Sequence, residues 1–349
     1  MTAAKAVGRL PRDVMRARHG EPSAPTTYLL TRRAHVMTEG RSSEALTWVL
    51  SRWARAAESI DPGQLDAWRQ RWAPESAALT TDGACPVPDA FTADEVGQLR
   101  DFATDGPAVL TLGDGSTRRG TYRDRTPDVT SVRLDQSFVL TQPSVQAMLA
   151  RGMAAQITAA RVGMWPSVHP PILYWSCVTD DGAGPASPEL EQRLARRYHS
   201  DFDGLGGTRL HVYLTDVDLG SAPMDYVLGS HLPRAIPRSL RSDVTDDIDE
   251  AEVRRRFPDT ARHTFTGPAG TSFMSDANGL HRGTRPTTTD RLFLVMPIQA
   301  GAWAGAYNRV RRMPIVDDGL ALALRSRRPD LRLFEAAPQG SSKVAVLAT

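Results

Sequence analysis

The order of the periodic patterns along this 349-residue chain is the feature that most constrains its fold. Apolar residues recur every three or four positions across residues 46–57, which predicts an amphipathic helix. Residues 209–215 instead alternate between apolar and polar side chains, and residues 291–296 form an apolar, strand-like run. Helical patterns followed by strands predict a mainly β fold with α support at its N-terminal side.

Local capping signals mark several element boundaries. Asp61 followed by Pro62 predicts a helix start, because aspartate caps the first turn and proline suits its first position. Thr92 and Glu95 have the spacing of a capping box before a second helix. Further strands are predicted at residues 84–87, 172–178 and 271–274.

Charge and composition exclude several classes of protein. The formal net charge is only +2, which argues against nucleic acid or an anionic membrane as a partner. No run approaches the roughly 20 apolar residues of a membrane-spanning helix, and the N-terminus lacks the apolar core of a secretory signal. The two cysteines, Cys85 and Cys177, do not make a disulfide framework. We therefore expect a soluble, cytoplasmic protein.

Two short segments together offer three metal ligands. His199-Ser200-Asp201 has the i, i+2 spacing that directs two side chains to one face of an extended segment, and His281 follows 82 residues later (281 − 199). Chance alone predicts about one His-x-acid pair in this composition, and His19-Gly20-Glu21 is a second such pair in an unpatterned region. Two imidazoles and a carboxylate form the facial triad of non-haem Fe(II) oxygenases, which leaves coordination positions open.

Arg291 lies ten residues after His281, at the start of the strand predicted at 291–296. A guanidinium group matches a carboxylate bidentately, so this arginine fits the distal carboxylate of 2-oxoglutarate. Pairing with the adjacent Asp290, or with another surface acid, is the structural alternative. The spacing alone leaves both interpretations open.

Six segments with suggestive motifs occur in a fixed order: residues 79–91, 198–201, 213–218, 227–231, 267–273 and 280–283, the last leading to Arg291. In this order they resemble the phytanoyl-CoA dioxygenase family of Fe(II)/2-oxoglutarate oxygenases. The resemblance implies a double-stranded β-helix (jelly-roll, cupin-like) core within residues 78–300. It also implies Fe(II) on His199, Asp201 and His281, 2-oxoglutarate on Arg291, and O₂ as the oxidant.

The remaining segments flank or interrupt this core. Residues 1–77 are expected to form a helical N-terminal extension, and residues 301–349 a C-terminal extension. The charged segment 233–262 is a candidate lid over the site. Tryptophans in the N-terminal helices are expected in a core or an interface rather than in a binding platform.

Weaker site candidates lie near the triad in sequence. His211 and Tyr213 share the polar face of the strand at 209–215 and contact 2-oxoglutarate or substrate, or else belong to the core. His231 follows Gly229-Ser230 in a predicted turn and is expected to be structural. Candidate substrate contacts are Asp203, Arg209 and Tyr174.

The resemblance implies an oxidoreductase that hydroxylates a small specialised metabolite, such as an amino acid, an amino-sugar or a natural-product intermediate, and releases succinate and CO₂. Related halogenases have a small residue where this chain has Asp201, so halogenation is not expected. Desaturation, epoxidation and ring closure stay open, as does the oligomeric state. Two rivals remain: a cupin-type metal dioxygenase or isomerase that does not use 2-oxoglutarate, and a non-catalytic jelly-roll binding protein. A nucleotide-binding fold is disfavoured because no glycine-rich phosphate loop follows a strand.

Overall fold

A large antiparallel sheet is the centre of the fold in the computed structural model. The structure describes residues 25–53, 59–179, 187–232, 250–303 and 309–337, with residues 12, 13, 15, 16, 23, 234–236, 248 and 305. Within these residues the strands are, in chain order, β1 (Ala84–Val87), β2 (Ala108–Leu112), β3 (Thr117–Gly120), β4 (Val129–Leu134), β5 (Pro166–Val168), β6 (Ile172–Ser176), β7 (Thr208–Tyr213), β8 (Met224–Val227), β9 (Arg262–Phe265), β10 (Ser272–Asp276), β11 (His281–Gly283), β12 (Arg291–Ala300), β13 (Arg311–Met313) and β14 (Phe334–Ala336).

Helices precede, cover and follow this sheet. In the described residues they are α1 (Pro25–Met37), α2 (Arg41–Trp53), α3 (Pro62–Arg71), α4 (Ala73–Thr81), α5 (Ala93–Asp105), α6 (Gln136–Val139), α7 (Pro143–Arg151), α8 (Met153–Val162), α9 (Pro188–Arg193), α10 (Glu250–Arg256) and α11 (Asp318–Arg325).

The strands form two main sheets. The large sheet has nine strands in the order β1-β10-β7-β12-β6-β4-β2-β3, with β5 paired to one end of β12. A smaller antiparallel sheet has the order β11-β8-β9. Side chains from both sheets meet in one buried aromatic cluster that includes Tyr213, Phe273 and Phe293 of the large sheet and Tyr226 and Phe265 of the small one. The prediction of a mainly β, jelly-roll fold with α support is therefore confirmed.

Helices cover the opposite face of the large sheet. Leu210, Val212 and Leu214 are buried there in one cluster with Leu99 of α5 and Leu149 of α7. Burying each such leucine contributes about 1.5–3 kcal/mol relative to leaving it exposed. The alternation in residues 209–215 is thus confirmed: the apolar face packs on helices, and the other face carries Arg209, His211 and Tyr213.

The predicted capping signals are present. Asp61 accepts a hydrogen bond of 3.0 Å from the Gln64 backbone N–H at the start of α3. The Thr92 hydroxyl accepts from the Glu95 N–H at 3.2 Å, and the Glu95 carboxylate accepts from the Thr92 N–H at 2.8 Å. Each such cap stabilises its helix by about 0.5–2 kcal/mol.

The tryptophans of the N-terminal helices differ in their surroundings. Trp72 is buried and its indole N–H donates to the Gln156 side chain at 3.2 Å, while Trp68 packs edge-on against Trp165 with centroids 5.0 Å apart. Trp48 is 58% exposed on α2. The prediction of a core or an interface is therefore confirmed for Trp68 and Trp72, whereas for Trp48, on the solvent face of α2, it stays a prediction.

Other predictions concern segments that are only partly described. Of the candidate lid at 233–262, residues 233, 237–247 and 249 lie outside the described residues, and the lid stays a prediction. Cys85 and Cys177 are buried free thiols, and burial raises the pKa of Cys85 to about 12. No helix in the described ranges is both long enough and apolar enough to cross a membrane.

Candidate metal centre

Backbone pairing joins the His-x-Asp segment to the distal histidine. The His199 N–H donates to the His281 carbonyl and the His281 N–H donates to the His199 carbonyl, both at 3.0 Å. Two residues further on, the Asp201 N–H donates to the Ala277 carbonyl at 2.9 Å. This short antiparallel pairing places the two imidazole rings side by side, with centroids 4.3 Å apart, and directs Asp201 to the same side.

The three predicted ligands meet at one point. The Asp201 Oδ2 atom lies 3.5 Å from His199 Nε2 and 3.4 Å from His281 Nε2, and one ligand atom from each residue lies within 4.8 Å of the others. Ligand atoms about 2.1 Å from a metal and at right angles to each other lie about 3.0 Å apart, so little movement is needed to close the site. Among the described residues this is the one group of histidine, cysteine and acidic side chains with such geometry.

Hydrogen bonds fix the tautomer of both imidazoles. His199 Nδ1 lies 2.8 Å from the Arg197 carbonyl, and His281 Nδ1 lies 2.9 Å from the Gly279 carbonyl. A carbonyl only accepts, so each Nδ1 carries a hydrogen, and in the neutral ring each Nε2 presents its lone pair to the site. Metal-binding histidines are oriented in this way by a second hydrogen bond.

The charges of the triad suit a cation. Burial alone would raise the pKa of the Asp201 carboxyl, but Arg209 and both histidines outweigh burial and hold this pKa well below its usual range. Burial lowers the pKa of His281, and nearby His199 lowers it further. Burial also acts to lower the pKa of His199, but Asp201 outweighs it and the net pKa is raised. The site therefore holds one carboxylate and a neutral His281 at pH 7.

Arg209 is fixed beside the triad by a buried carboxylate. Its Nε and Nη2 atoms donate to the two oxygens of Asp203 at 2.5 and 2.8 Å, and its Nη1 lies 2.8 Å from Asp201 Oδ2. Asp203 is only 3% exposed and uses both oxygens on this arginine. Of the three predicted substrate contacts, Arg209 and Tyr174 line the cavity, whereas Asp203 does not and instead orients Arg209.

An ion pair and several hydrogen bonds fix the loop that carries His281. Asp276 pairs with Arg161 at 2.8 Å and accepts from the backbone and side-chain N–H groups of Asn278 at 3.0 and 2.9 Å. The Tyr226 hydroxyl donates to the Asp276 carbonyl at 3.0 Å, and a Cβ atom at Gly279 would lie 1.9 Å from that hydroxyl oxygen. Position 279 therefore requires glycine because the tyrosine approaches the backbone so closely.

The Gly229-Ser230-His231 turn supports the same loop. The Leu280 N–H donates to the Ser230 hydroxyl at 2.7 Å, and His231 Nε2 donates to the Thr80 carbonyl at 3.2 Å. These contacts agree with the expectation that His231 is structural.

The triad faces a cavity of about 400 Å³. Arg291 is 2% exposed and lies at the closed end, whereas Arg133 and Arg193 are exposed and lie at the open end. Tyr174 lines the wall and contacts Phe293 edge-on, with centroids 5.7 Å apart.

Arg291 is a buried cation in this cavity. Its guanidinium donates to the Ala222 carbonyl and, at 3.2 Å, to the Ser176 hydroxyl, and it lies 4.4 Å from the centre of the Phe293 ring. Its Nε has no hydrogen-bond partner, and no described carboxylate pairs with it. A buried charge without a counter-ion is costly, so this arrangement suits an anionic ligand.

The alternative pairing of Arg291 with Asp290 is not present. Asp290 instead pairs with Arg125 at 3.2 Å and accepts from the Tyr122 hydroxyl and the Val178 N–H, both at 2.7 Å. Successive residues of a strand point to opposite faces, which directs Asp290 away from the cavity and Arg291 into it.

His211 lines the cavity in an apolar setting. Its ring lies between Phe273 and Phe293, with centroids 4.8 and 5.5 Å away, and its Nε2 lies 2.8 Å from the Ser275 hydroxyl. Burial, and to a smaller degree Arg209, hold the pKa of His211 well below its usual value, so the ring is neutral. Its Nδ1 has no partner among the described residues, which leaves the prediction of a ligand contact open.

Tyr213, unlike His211, lies between the two sheets. Its hydroxyl donates to the Phe265 carbonyl and accepts from the Met224 N–H, both at 3.0 Å. The residue joins the two sheets and is fully buried. The prediction that Tyr213 contacts a co-substrate receives no support from this geometry.

Ser176 and Arg133 are among the cavity residues that the sequence analysis missed, although alternation offered a signal for both. Ser176 lies two positions after Tyr174 on β6 and therefore points to the same face. Arg133 lies directly opposite Tyr174 on β4, with buried Val132 and Leu134 on either side of it. The register between β4 and β6, which are far apart in sequence, places Arg133 at the site. The sequence of β4 alone does not specify that register.

No protein-family model matches this chain, and no curated protein matches it. Solved structures similar to it include the "non-heme alpha ketoglutarate dependent epimerase SnoN from nogalamycin biosynthesis", at 18% identity and a TM-score of 0.47, covering 66% of this chain and 84% of SnoN. The carbocyclase SnoK from the same biosynthesis has 16% identity and a TM-score of 0.46, covering 65% of this chain and 83% of SnoK. EctD from S. alaskensis, solved with 2-oxoglutarate and 5-hydroxyectoine, has 20% identity and a TM-score of 0.43, covering 65% of this chain and 76% of EctD. Values this low establish neither a family nor a function, and the likeness to phytanoyl-CoA dioxygenases stays a resemblance.

Proposed function

We propose that this chain is an Fe(II)/2-oxoglutarate-dependent oxygenase that hydroxylates an unactivated C–H bond of a small specialised metabolite. The observation that carries the proposal is Arg291, a buried cation that lies in the same cavity as a His-Asp-His triad and has no carboxylate partner among the described residues.

The donor set fits iron. Two imidazole Nε2 atoms and one carboxylate are the ligands of the facial triad, and the three together leave positions for further ligands. His199, Asp201 and His281 would hold the metal. When bound, iron supplies the O₂ chemistry that oxidises 2-oxoglutarate to succinate and CO₂ and hydroxylates the substrate. Because Asp201 occupies the third ligand position, halogenation is disfavoured.

The closed end of the cavity suits the co-substrate. The forked N–H groups of Arg291 match the distal carboxylate of 2-oxoglutarate. Gly283 leaves room beside this arginine, since a Cβ there would be in ordinary contact with Nη2 at 3.5 Å. A metal enzyme that does not bind an acid of this kind has no need of a buried, unpaired arginine, so the geometry favours this function over the cupin-type rival.

The other residues of the cavity orient the metal ligands and enclose the reacting centre. Asp203 and Arg209 hold Asp201 from one side, so that its carboxylate keeps one direction. Tyr174 and Phe293 form an apolar wall that excludes water from the reacting centre.

Calorimetry tests the proposal. Fe(II)-loaded protein under anaerobic conditions is titrated with 2-oxoglutarate and with glutarate, which lacks the 2-oxo group. We expect 2-oxoglutarate to bind at least tenfold more tightly, and we expect this preference to vanish in Asp201→Ala but not in the control Asp101→Ala, an exposed residue of α5. Equal binding of the two acids, or an unchanged preference in Asp201→Ala, would overturn the proposal.

A further inference from the structure

The cavity has an unusual balance of charge. Asp201 is the one acidic residue among the described residues that line it. Six lining residues are arginines: Arg133, Arg193, Arg196, Arg209, Arg282 and Arg291.

Three of these arginines are neutralised by nearby acids. Arg196 pairs with Glu191 at 3.2 Å, and Arg282 pairs with Asp225 at 3.0 Å. Arg209 is held by Asp203, as described above. Their charges are compensated within the protein, and they need no ligand.

Arg133 and Arg193 differ from them. Arg193 donates to the Gly115 carbonyl at 3.0 Å but forms no ion pair with a described residue, and Arg133 forms neither an ion pair nor a side-chain hydrogen bond with one. Other arginines of the neighbouring strand and turn do find acids: Arg119 pairs with Asp135 at 2.7 Å, and Arg123 pairs with Asp105. Arg118 of β3 also forms no ion pair with a described residue, but it donates to the Asp124 carbonyl and does not line the cavity, whereas Arg133 and Arg193 do line it.

Part of the cavity wall beside Arg133 is apolar. Ile172 and Tyr174 of β6 line the cavity, together with Val295 and Pro297 of the adjacent strand β12. Arg133 lies opposite Tyr174 of β6, which lies opposite Phe293 of β12, so a ligand bound at Arg133 that extends toward β12 meets apolar surface. Arg291 is not available to it, since the proposed function assigns that residue to 2-oxoglutarate.

We propose that the substrate is a small organic anion, a carboxylate or a phosphate ester, whose charged group is bound by Arg133 and Arg193 and whose apolar part extends toward the triad. Guanidinium groups recognise both kinds of oxyanion through charge-assisted hydrogen bonds. This inference rests on the proposed function and names the substrate class for the same site.

Matched probes test the inference. The protein is loaded anaerobically with Fe(II) and saturated with 2-oxoglutarate, so that Arg291 is occupied, and is then titrated with 3-phenylpropionate, phenethyl phosphate and the neutral 3-phenylpropanamide. We expect at least one of the two anions to bind at least tenfold more tightly than the amide. The anion with the higher affinity shows whether the site prefers a carboxylate or a phosphate ester. Equal binding of the amide, or no binding of either anion, overturns the inference.

Substitutions locate the binding groups. Arg133→Gln and Arg193→Gln should each weaken binding of the preferred anion about fivefold or more and leave binding of the amide unchanged. Arg100→Gln removes the same charge from the exposed face of α5 and should change neither. An unchanged anion affinity in both cavity variants contradicts the inference. Binding of 2-oxoglutarate is measured first. If the wild type does not bind 2-oxoglutarate, the proposed function is refuted. If it binds 2-oxoglutarate but does not prefer an anion over the amide, only the substrate class is refuted.

Discussion

His199 and His281 are held by matching sets of hydrogen bonds. Each donates its backbone N–H to the carbonyl of the other at 3.0 Å, and each donates its Nδ1–H to the carbonyl two residues before it. The rings are therefore positioned by the backbone of the two segments, and both Nε2 atoms face Asp201. The site is organised before any ligand binds, which reduces the cost of assembling it.

Gly279→Ala should damage the site through packing. The new Cβ would lie 1.9 Å from the Tyr226 hydroxyl oxygen and 2.3 Å from its Cζ, and Tyr226 is fully buried. Relief requires the loop before His281 to move. We expect a loss of about 1–3 kcal/mol in unfolding free energy, measured by urea denaturation, together with weaker Fe(II) binding.

Gly97→Ala is the matched control for this substitution. Gly97 lies within α5, and its added Cβ would meet no atom within 4 Å. Alanine is the better helix former by up to about 1 kcal/mol, so this variant should be as stable as the wild type or more so. Equal stability of the two variants would refute the close approach of Tyr226 to residue 279.

Arg291→Gln should weaken 2-oxoglutarate binding and leave Fe(II) binding nearly unchanged. Hydrogen bonds to a charged group contribute about 1.5–3 kcal/mol, which corresponds to roughly a 10- to 150-fold higher dissociation constant by calorimetry. Arg285→Gln is the control, because Arg285 donates to the Thr179 hydroxyl at 2.8 Å and does not line the cavity. If both variants bind 2-oxoglutarate like the wild type, the anion site lies elsewhere.

The buried pair of Asp203 and Arg209 should behave as a unit. Asp203→Leu leaves Arg209 without its main counter-ion, and breaking such a pair costs about 3–5 kcal/mol. In the double variant Asp203→Leu/Arg209→Met neither charge of this pair remains, and Asp201, which loses its contact with Arg209, still contacts both triad histidines, so urea denaturation should show the double variant to be more stable than Asp203→Leu alone. A double variant that is less stable than the single one would show that the two residues contribute independently.

Acid should destabilise the metal-free protein in part through His211. Burial lowers the pKa of His211 well below its ordinary value, so the folded ring stays neutral while the unfolded one takes up a proton as pH falls through about 6.5. Stability from this group is therefore present above that pH and declines below it. The drop in melting temperature from pH 7.5 to pH 5 should be smaller in His211→Phe than in the wild type. An equal drop in both would show that His211 does not titrate in this way.

The sequence predicted those parts of the site that depend on local pattern. Only a few residues of sequence are needed to recognise the spacing of His199 and Asp201 or the alternation around Arg209. Arg291 is likewise recognised locally, as the first residue of an apolar strand. The capping box at Thr92 is equally local and is present as predicted.

Other features depend on pairing between distant strands. Ser176 reaches Arg291 because β6 and β12 are adjacent, and Arg133 reaches the cavity because β4 pairs with β6. Strand order is not encoded in any one segment. Strand β2 and the edge strand β3 were not predicted, because both are short and β3, Thr117–Gly120, has no apolar side chain.

The most direct test of the central claim is an anaerobic titration of the Fe(II)-loaded protein with 2-oxoglutarate, followed by visible absorption. A 2-oxo acid chelated to Fe(II) gives a weak visible band. We predict that the band forms in the wild type, requires more 2-oxoglutarate in Arg291→Gln, and is absent in His199→Ala. Iron binding without the band, or no iron binding at all, would contradict the claim that this cavity holds Fe(II) and 2-oxoglutarate together.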